Sequence, residues 1–103
     1  MEDLLKKEPV QRVVKVLSNF DDSIKVEALS SSAKTAKDAA ISLKCEVGAI
    51  VKSLLLRTEN NFILCLVSGD KRCSLNKVKK ILNLKDVSMA DADQVKKQSG
   101  FSI

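Results

Sequence analysis

The chain has 103 residues, which is enough for one domain with its own core, and its apolar fraction of 45% is ordinary for a globular protein. The chain has 18 Lys and Arg residues and 13 Asp and Glu residues, so its formal charge is +5. This charge favours contact with a polyanion, but alone it is weak evidence that the protein binds one. The sequence contains no histidine, which excludes Ser-His-Asp and Cys-His catalysis and removes the commonest zinc ligand.

The N-terminus and the cysteines indicate in which cellular compartment the protein is expected. The opening residues, MEDLLKKEP, are charged rather than signal-like, and no apolar run approaches the length of a membrane span, so we expect a cytoplasmic chain. Cys45, Cys65 and Cys73 are odd in number and form no Cys-x-x-Cys pair, which favours reduced thiols. Cys65 is expected within a strand as a small core residue, and the other two near element ends.

The N-terminal part predicts one helix and one strand. Pro9 is followed by apolar residues at the i, i+3, i+4 and i+7 spacing, which predicts a helix from about Pro9 to Asn19. Further on, Ile24, Val26 and Ala28 alternate with charged residues, which predicts a strand with one face toward solvent.

A helix and a hairpin are predicted for the centre of the chain. Thr35 can cap a helix that begins at Ala36 and ends near Lys44 or Cys45. Two apolar runs, from Ile50 to Leu56 and from Phe62 to Val67, are joined by a polar, Asn-rich loop. They predict antiparallel strands that are covered on both faces over much of their length.

Lys52 lies inside the first of these apolar runs. A buried ammonium loses hydration, so it must be paired, reach an opening, or face a polar ligand. The alternative is that Lys52 lies at a strand end and covers apolar surface with its aliphatic stem. The residues by themselves leave both interpretations open.

The last third predicts two capped helices around a short strand. Ser74 can cap a helix with an apolar stripe, and Asp91 begins a capping-box pattern for a helix that Gly100 ends. Residues 87–90 are predicted as the strand between them. The most basic part of the chain lies here, and it is either a solvated helix face or a contact with the backbone of a nucleic acid. It comprises Lys71, Arg72, Lys77, Lys79 and Lys80.

The central motifs resemble a known family. TAKDAA at 35–40, CEVGAIVKSL at 45–54 and VSGD at 67–70 occur in an order and at spacings similar to those of the YbaK/ProX family of aminoacyl-tRNA deacylases. That family includes free-standing proteins and the editing domain of bacterial prolyl-tRNA synthetases. The similarity extends from about Leu29 to Phe101. It implies a mixed α/β fold, with a mainly antiparallel sheet or partial barrel flanked by helices.

The resemblance also implies an activity and a site. The activity is hydrolysis of the ester of a mischarged tRNA, with the tRNA for proline as the expected carrier. Lys52 matches the functional lysine of the family, which lies beside the aminoacylated 3′ end of the tRNA. It would hold the terminal phosphate or polarise the ester. Further candidate substrate-binding residues are Thr35, Ser53, Gly69, Asp70 and Gly100.

The chemistry of some of these residues favours a structural role over direct contact with the substrate. Thr35 fits a helix cap better than a ligand, and Gly69 and Asp70 fit turn residues that shape the site. The reaction needs no protein nucleophile, because water can attack with help from the ribose hydroxyl of the substrate. We therefore expect neither a metal nor another cofactor. The expected partners are the acceptor end of a mischarged tRNA and an aminoacyl-tRNA synthetase, with no membrane.

The motif pattern stops early in this sequence. Family members continue after the equivalent of Gly100-Phe101 with a glycine-rich loop, a proline and further strands, whereas this sequence ends at Ile103. We therefore expect a single editing domain, 1–103, that lacks its C-terminal strands, either as a fragment or as a short form. If the chain is complete, we expect its exposed apolar surface to cause either dimerisation or reduced stability. The alternative functions are a non-catalytic module of the same fold that binds tRNA or a synthetase, and a basic structural domain for another nucleotide.

Overall fold

The computed structural model describes residues 2–29 and 34–103. Within these residues the chain forms four α-helices, three β-strands and two short 3₁₀ helices. The helices are α1 (Glu8–Phe20), α2 (Ala36–Leu43), α3 (Leu75–Leu82) and α4 (Ala92–Ser99). The strands are β1 (Val51–Thr58), β2 (Phe62–Ser68) and β3 (Val87–Met89), and the 3₁₀ helices are Glu2–Lys6 and Val47–Ala49.

The three strands form one antiparallel sheet with the order β2-β1-β3. In the predicted hairpin, Lys52 lies opposite Val67, and Leu56 lies opposite Ile63. On the other edge of β1, Leu56 lies opposite Met89. The predicted mixed α/β class with a mainly antiparallel sheet is therefore confirmed, and β1 is its central strand.

The sheet has one covered face and one exposed face. Leu56, Val67 and Val87 are buried on the covered face, which we call the inner face. Successive side chains of a strand point to opposite sides of the sheet. The outer face consequently carries Val51 and Leu66, and their exposed fractions are 63% and 65%. The prediction that both faces are covered was wrong, because an apolar run shows hydrophobicity but does not specify what packs against each face.

Local capping chemistry determines where the helices begin and end. The Thr35 hydroxyl accepts from Asp38 N at 3.1 Å, and the Ser74 hydroxyl accepts from Lys77 N at 3.3 Å. Asp91 forms the expected capping box with Gln94. These three predicted helix starts are confirmed, because each rests on a side chain that satisfies an otherwise unpaired backbone N–H group.

The strand predicted for residues 24–28 is absent from the described sheet. Ile24 N instead donates to Asp21 O at 3.1 Å, in a turn where the Asp21 carboxylate accepts from Ser23 N and Ser23 Oγ. An alternating sequence gives the side-chain pattern of a strand, but a strand also needs a neighbour for its backbone hydrogen bonds. None of the described strands takes that position beside residues 24–28.

None of the helices within residues 2–29 and 34–103 combines the length and the apolar character that crossing a membrane requires.

Glu59 connects the hairpin loop to the segment before β3. Its Oε1 atom accepts from Lys85 N at 3.2 Å and from Asp86 N at 3.3 Å. The hydrogen bond from Asp86 N is the main reason that the pKa of Glu59 lies below its ordinary value. This carboxylate therefore holds Lys85 and Asp86 in place, and β3 follows directly after them and pairs with β1.

Replacing Glu59 by Gln removes the charge but keeps the shape, so its effect on stability should depend on pH. A carboxylate with a lowered pKa stabilises the folded state above its unfolded pKa, and this contribution disappears as the pH falls through the folded pKa. Urea unfolding should therefore give a lower midpoint for Glu59→Gln at about pH 7 and nearly equal midpoints at about pH 3. Glu27→Gln is the control, and an equal loss at both values would contradict this role.

Candidate functional site

Lys52 lies on the inner face of β1, opposite the buried Val67. Its side chain is partly buried, and its Nζ atom donates to Lys71 O at 2.6 Å. The sequence left open whether this lysine reaches an opening, finds a partner, or only covers apolar surface. In the structure its ammonium group reaches the loop that follows β2 and is held there by a carbonyl oxygen.

Backbone and hydroxyl contacts hold this loop against the start of β1. We call residues 69–73 the Lys52 loop. Gly69 N donates to Ile50 O at 2.6 Å, which extends the hairpin by one further hydrogen bond. Ser68 Oγ lies 2.7 Å from Gly48 O and 2.8 Å from Asp70 Oδ1. The loop that carries the partner of Lys52 is therefore anchored on the 3₁₀ helix Val47–Ala49.

Gly69 permits a close approach that no other residue would allow. A Cβ atom at this position would lie 2.4 Å from Val47 O, 3.0 Å from Ala36 Cβ and 3.1 Å from Ile50 Cβ. The first of these distances is far inside van der Waals contact, and the oxygen belongs to the backbone, so it cannot rotate away. The absence of a side chain therefore lets the start of α2, the 3₁₀ helix and the sheet meet at one point.

Lys52 forms no ion pair with a carboxylate of the described residues. The one ion pair among the described residues joins Arg12 and Glu8 at 2.9 Å. An ammonium group has three N–H donors, and Lys71 O takes one of them. The remaining donors and the uncompensated positive charge suit an anionic oxygen or a polarised carbonyl.

Two cysteines contact each other, and one of them lies in the Lys52 loop. Cys73 Sγ is 3.8 Å from Cys65 Sγ, and both side chains are partly buried. Burial is the main cause that raises the pKa of Cys73; the contact with Cys65 adds to it, and the positive charge of Lys52 opposes it. Cys73 is therefore a thiol near neutral pH and is poorly suited to act as a nucleophile. The sequence did not reveal this pair, because the two cysteines come together only when the chain turns back after β2.

The other predicted site residues are distributed unevenly. Gly69 and Asp70 lie in the Lys52 loop, and Thr35 caps the helix whose first residue, Ala36, lies against Gly69. Ser53 follows Lys52 in β1, so its side chain lies on the outer face of the sheet. Gly100 ends α4 with φ of 83°, and its N–H donates to Lys96 O. Substrate binding by these residues stays a prediction, and the geometry groups only some of them with Lys52.

The described residues contain no group of three or more His, Cys, Asp or Glu that could hold a metal ion. Two surface depressions lie along α1 and share Gln11, Val14 and Ser18 in their linings. Neither is lined by Lys52 or by the Lys52 loop. The Lys52 site is therefore defined by charge and hydrogen bonding rather than by these depressions.

A family model and several curated relatives show which family this chain resembles. Residues 30–103 match the family described as aminoacyl-tRNA editing domain. Proline--tRNA ligase of Fervidobacterium nodosum is 36% identical over 70 residues, which are 68% of this chain and 12% of the ligase. Proline--tRNA ligase of Bacillus velezensis is 28% identical over 99 residues, which are 96% of this chain and 16% of the ligase.

The structural comparison agrees with the sequence comparison. A crystal structure described as a candidate trans-editing enzyme for prolyl tRNA synthetase superposes with a TM-score of 0.83 and 35% identity. The match covers 94% of this chain and 62% of that chain. This chain spans only a small part of each ligase and less than two thirds of the solved structure.

Replacing Gly69 by Ala should destabilise the whole site. The new methyl group would meet Val47 O, and the backbone would have to move at a cost of about 1–3 kcal/mol. Gly48→Ala is the matched control, since its Cβ would meet the Asp70 carboxylate at 3.0 Å, which can rotate away. Urea unfolding compares the two variants, and equal stability of Gly69→Ala and the wild type would contradict the packing described above.

Proposed function

Because this chain belongs to the aminoacyl-tRNA editing domain family, we propose that it hydrolyses the ester between a wrongly attached amino acid and the 3′ end of a tRNA. The observation that carries the proposal is the ammonium group of Lys52, which is partly buried, held by Lys71 O and not part of an ion pair among the described residues. Its relatives include proline--tRNA ligases, so the tRNA for proline is the proposed carrier. Charged tRNA is used in the cytoplasm, which is the compartment that we expect.

Lys52 would act by placing a positive charge where negative charge is present or develops. In hydrolysis, water adds to the carbonyl carbon of the ester, and the carbonyl oxygen becomes negative. The bond between this carbon and the ribose oxygen then breaks, and the ribose oxygen leaves with a proton. The products are the free amino acid and the uncharged tRNA. An ammonium group near the ester oxygen or the terminal phosphate lowers the energy of this path, because it attracts the negative charge there. The hydrogen bond to Lys71 O fixes the position of the ammonium group before the substrate binds.

The attacking group would be water rather than a side chain. The sequence has no histidine to activate a nucleophile, and the raised pKa of Cys73 keeps that thiol protonated. The ribose hydroxyl next to the ester can assist the water. Gly69 and Asp70 would shape the loop around the amino acid rather than react with it.

A basic surface begins at the same loop. Lys71 binds Lys52 through its carbonyl oxygen while its own side chain is exposed, and Arg72, Lys77 and Lys80 are also exposed. These four residues form what we call the α3 basic surface. We propose that it contacts the tRNA backbone, since phosphates attract exposed cations and the surface adjoins the Lys52 site. Lys79 is partly buried and contributes less.

Lys52→Ala should reduce hydrolysis of alanyl- or cysteinyl-tRNA for proline by roughly 10²-fold, the usual effect of removing one preorganised charge at a reacting oxygen. Single-turnover rates with saturating protein measure this loss, and circular dichroism checks the fold. Lys15→Ala on α1 is the control, in which an exposed lysine is removed.

A double variant, Arg72→Ala with Lys77→Ala, should instead raise KM and make KM less dependent on the salt concentration, while kcat changes little.

The outcomes separate the candidate functions. A Lys52→Ala variant as active as the wild type would contradict the proposed role of this lysine. A folded wild type that binds charged tRNA but does not accelerate hydrolysis would instead favour the non-catalytic binding module. Equal affinity for charged tRNA and for unrelated RNA would favour a basic structural domain.

The outer face of the sheet is the proposed contact for a second copy of the chain. Val51, Leu64 and Leu66 each expose more than 60% of their surface there, and β2 pairs with a described strand only along one edge. An exposed apolar face beside an open strand edge favours association. We propose a homodimer in which two outer faces pack together. The competing occupant is part of an aminoacyl-tRNA synthetase, because similar segments occur within proline--tRNA ligases.

Leu66→Lys should convert the proposed homodimer to a monomer, because a charge would be buried in an apolar contact. Sedimentation velocity at several protein concentrations measures the change. Ile81→Lys is the control, since Ile81 is 79% exposed on α3 and lies outside the sheet. A wild type that sediments as a monomer at all concentrations would contradict the homodimer and leave the synthetase as the occupant to test.

A further inference from the structure

The Cys65 and Cys73 thiols form a pair that the proposed hydrolysis does not use. Their sulfur atoms are 3.8 Å apart, and both side chains are partly buried. The third cysteine, Cys45, is exposed and lies after the end of α2. The described residues contain no acidic or histidine group that would turn the pair into a metal site.

The two cysteines belong to parts of the fold with different freedom. Cys65 lies in the middle of β2, opposite Leu54, where the ladder to β1 fixes its backbone. Cys73 is the last residue of the Lys52 loop, directly before the Ser74 cap of α3. A disulfide needs an S–S distance of about 2.05 Å, so the sulfur atoms must approach by about 1.8 Å. Side-chain rotation and a small shift of the loop supply such a movement.

We propose that Cys65 and Cys73 are an oxidation site, at which a peroxide converts the two thiols to an intrachain disulfide that ties the Lys52 loop to β2. One thiolate attacks a peroxide oxygen, breaks the O–O bond and becomes a sulfenic acid. The second thiol then attacks that sulfur and expels water. In total, two thiols and one hydrogen peroxide give one disulfide and two water molecules.

The surroundings make this reaction selective but slow. The pKa of Cys73 is raised mainly by burial, so little thiolate is present near neutral pH. The neighbouring sulfur atom can capture a sulfenic acid before a second peroxide does. The pair therefore responds to sustained oxidation rather than to traces of peroxide.

Disulfide formation would act on Lys52 through its hydrogen-bond partner. Lys71 O, which accepts from Lys52 Nζ, lies two residues before Cys73 in the same loop. Moving Cys73 toward Cys65 displaces this carbonyl group and leaves the ammonium group less firmly positioned. We therefore expect the oxidised chain to hydrolyse charged tRNA more slowly. This consequence rests on the proposed function, whereas the disulfide itself does not.

Peptide mapping tests the disulfide without any activity measurement. A Cys45→Ser variant, which lacks the exposed third thiol, is treated with hydrogen peroxide, alkylated and digested with trypsin without reduction. Lys71 and Arg72 lie between the two cysteines, so trypsin places Cys65 and Cys73 on separate peptides unless they are linked. Mass spectrometry should find the linked peptides as the main product, and dithiothreitol should separate them. Cys73→Ser in the same background is the control.

Two results would overturn the proposal. One is a main product with sulfinic acid at either cysteine and no linked peptides. The other is a disulfide between chains in the Cys45→Ser protein, seen as a dimer on non-reducing gels. Circular dichroism during the treatment confirms that the chain stays folded, so that a disulfide formed after unfolding is not mistaken for the proposed one.

Hydrolysis rates then test the link to Lys52. Oxidised Cys45→Ser protein should be at least about tenfold slower than the reduced protein, the effect of about 1.4 kcal/mol of lost stabilisation. The rate should return with dithiothreitol, and the Cys65→Ser, Cys73→Ser variant should not respond to peroxide. A linked chain with an unchanged rate would overturn the link to Lys52. A reduced chain without activity would count against the proposed function alone.

Discussion

The close backbone contact at Gly69 is the constraint on which the site depends. A side chain there would collide with Val47 O, so glycine allows the 3₁₀ helix, the start of α2 and the end of the hairpin to meet. The hydrogen bond from Gly69 N to Ile50 O holds the chain at this point. The loop that follows is thereby placed over the inner face of the sheet, where its Lys71 carbonyl oxygen meets the ammonium group of Lys52.

This arrangement gives one positive charge a fixed position without an ion pair among the described residues. A carboxylate partner would stabilise the ammonium group but would compete with an anionic substrate. A carbonyl oxygen accepts one hydrogen bond and leaves the net charge available for a ligand. The chain thus combines a preorganised cation with a basic surface that begins at the same loop and continues on α3. The proposed disulfide between Cys65 and Cys73 would couple the position of the Lys52 loop to the redox state of the surroundings.

Local chemistry was predictable from the sequence, and packing was not. Thr35, Ser74 and Asp91 were recognised as helix caps, because their side chains act within three residues of their own position. Lys52 was singled out, because a cation in an apolar strand needs an explanation. The strand expected at 24–28 failed, since its pattern does not specify a neighbouring strand. The exposure of Leu66 and the contact between Cys65 and Cys73 were missed, because both depend on how the hairpin and the loop fold back.

The most direct test of the central claim is to observe the Lys52 ammonium group itself while a ligand binds. The side-chain nitrogen signals of the lysines can be followed by NMR as a non-hydrolysable aminoacyl-RNA minihelix is added. The account predicts that the Lys52 signal shifts and becomes protected from exchange with water, while the Lys15 signal stays unchanged. Shifts limited to the lysines of the α3 basic surface, with Lys52 unaffected, would contradict a substrate-binding role for Lys52.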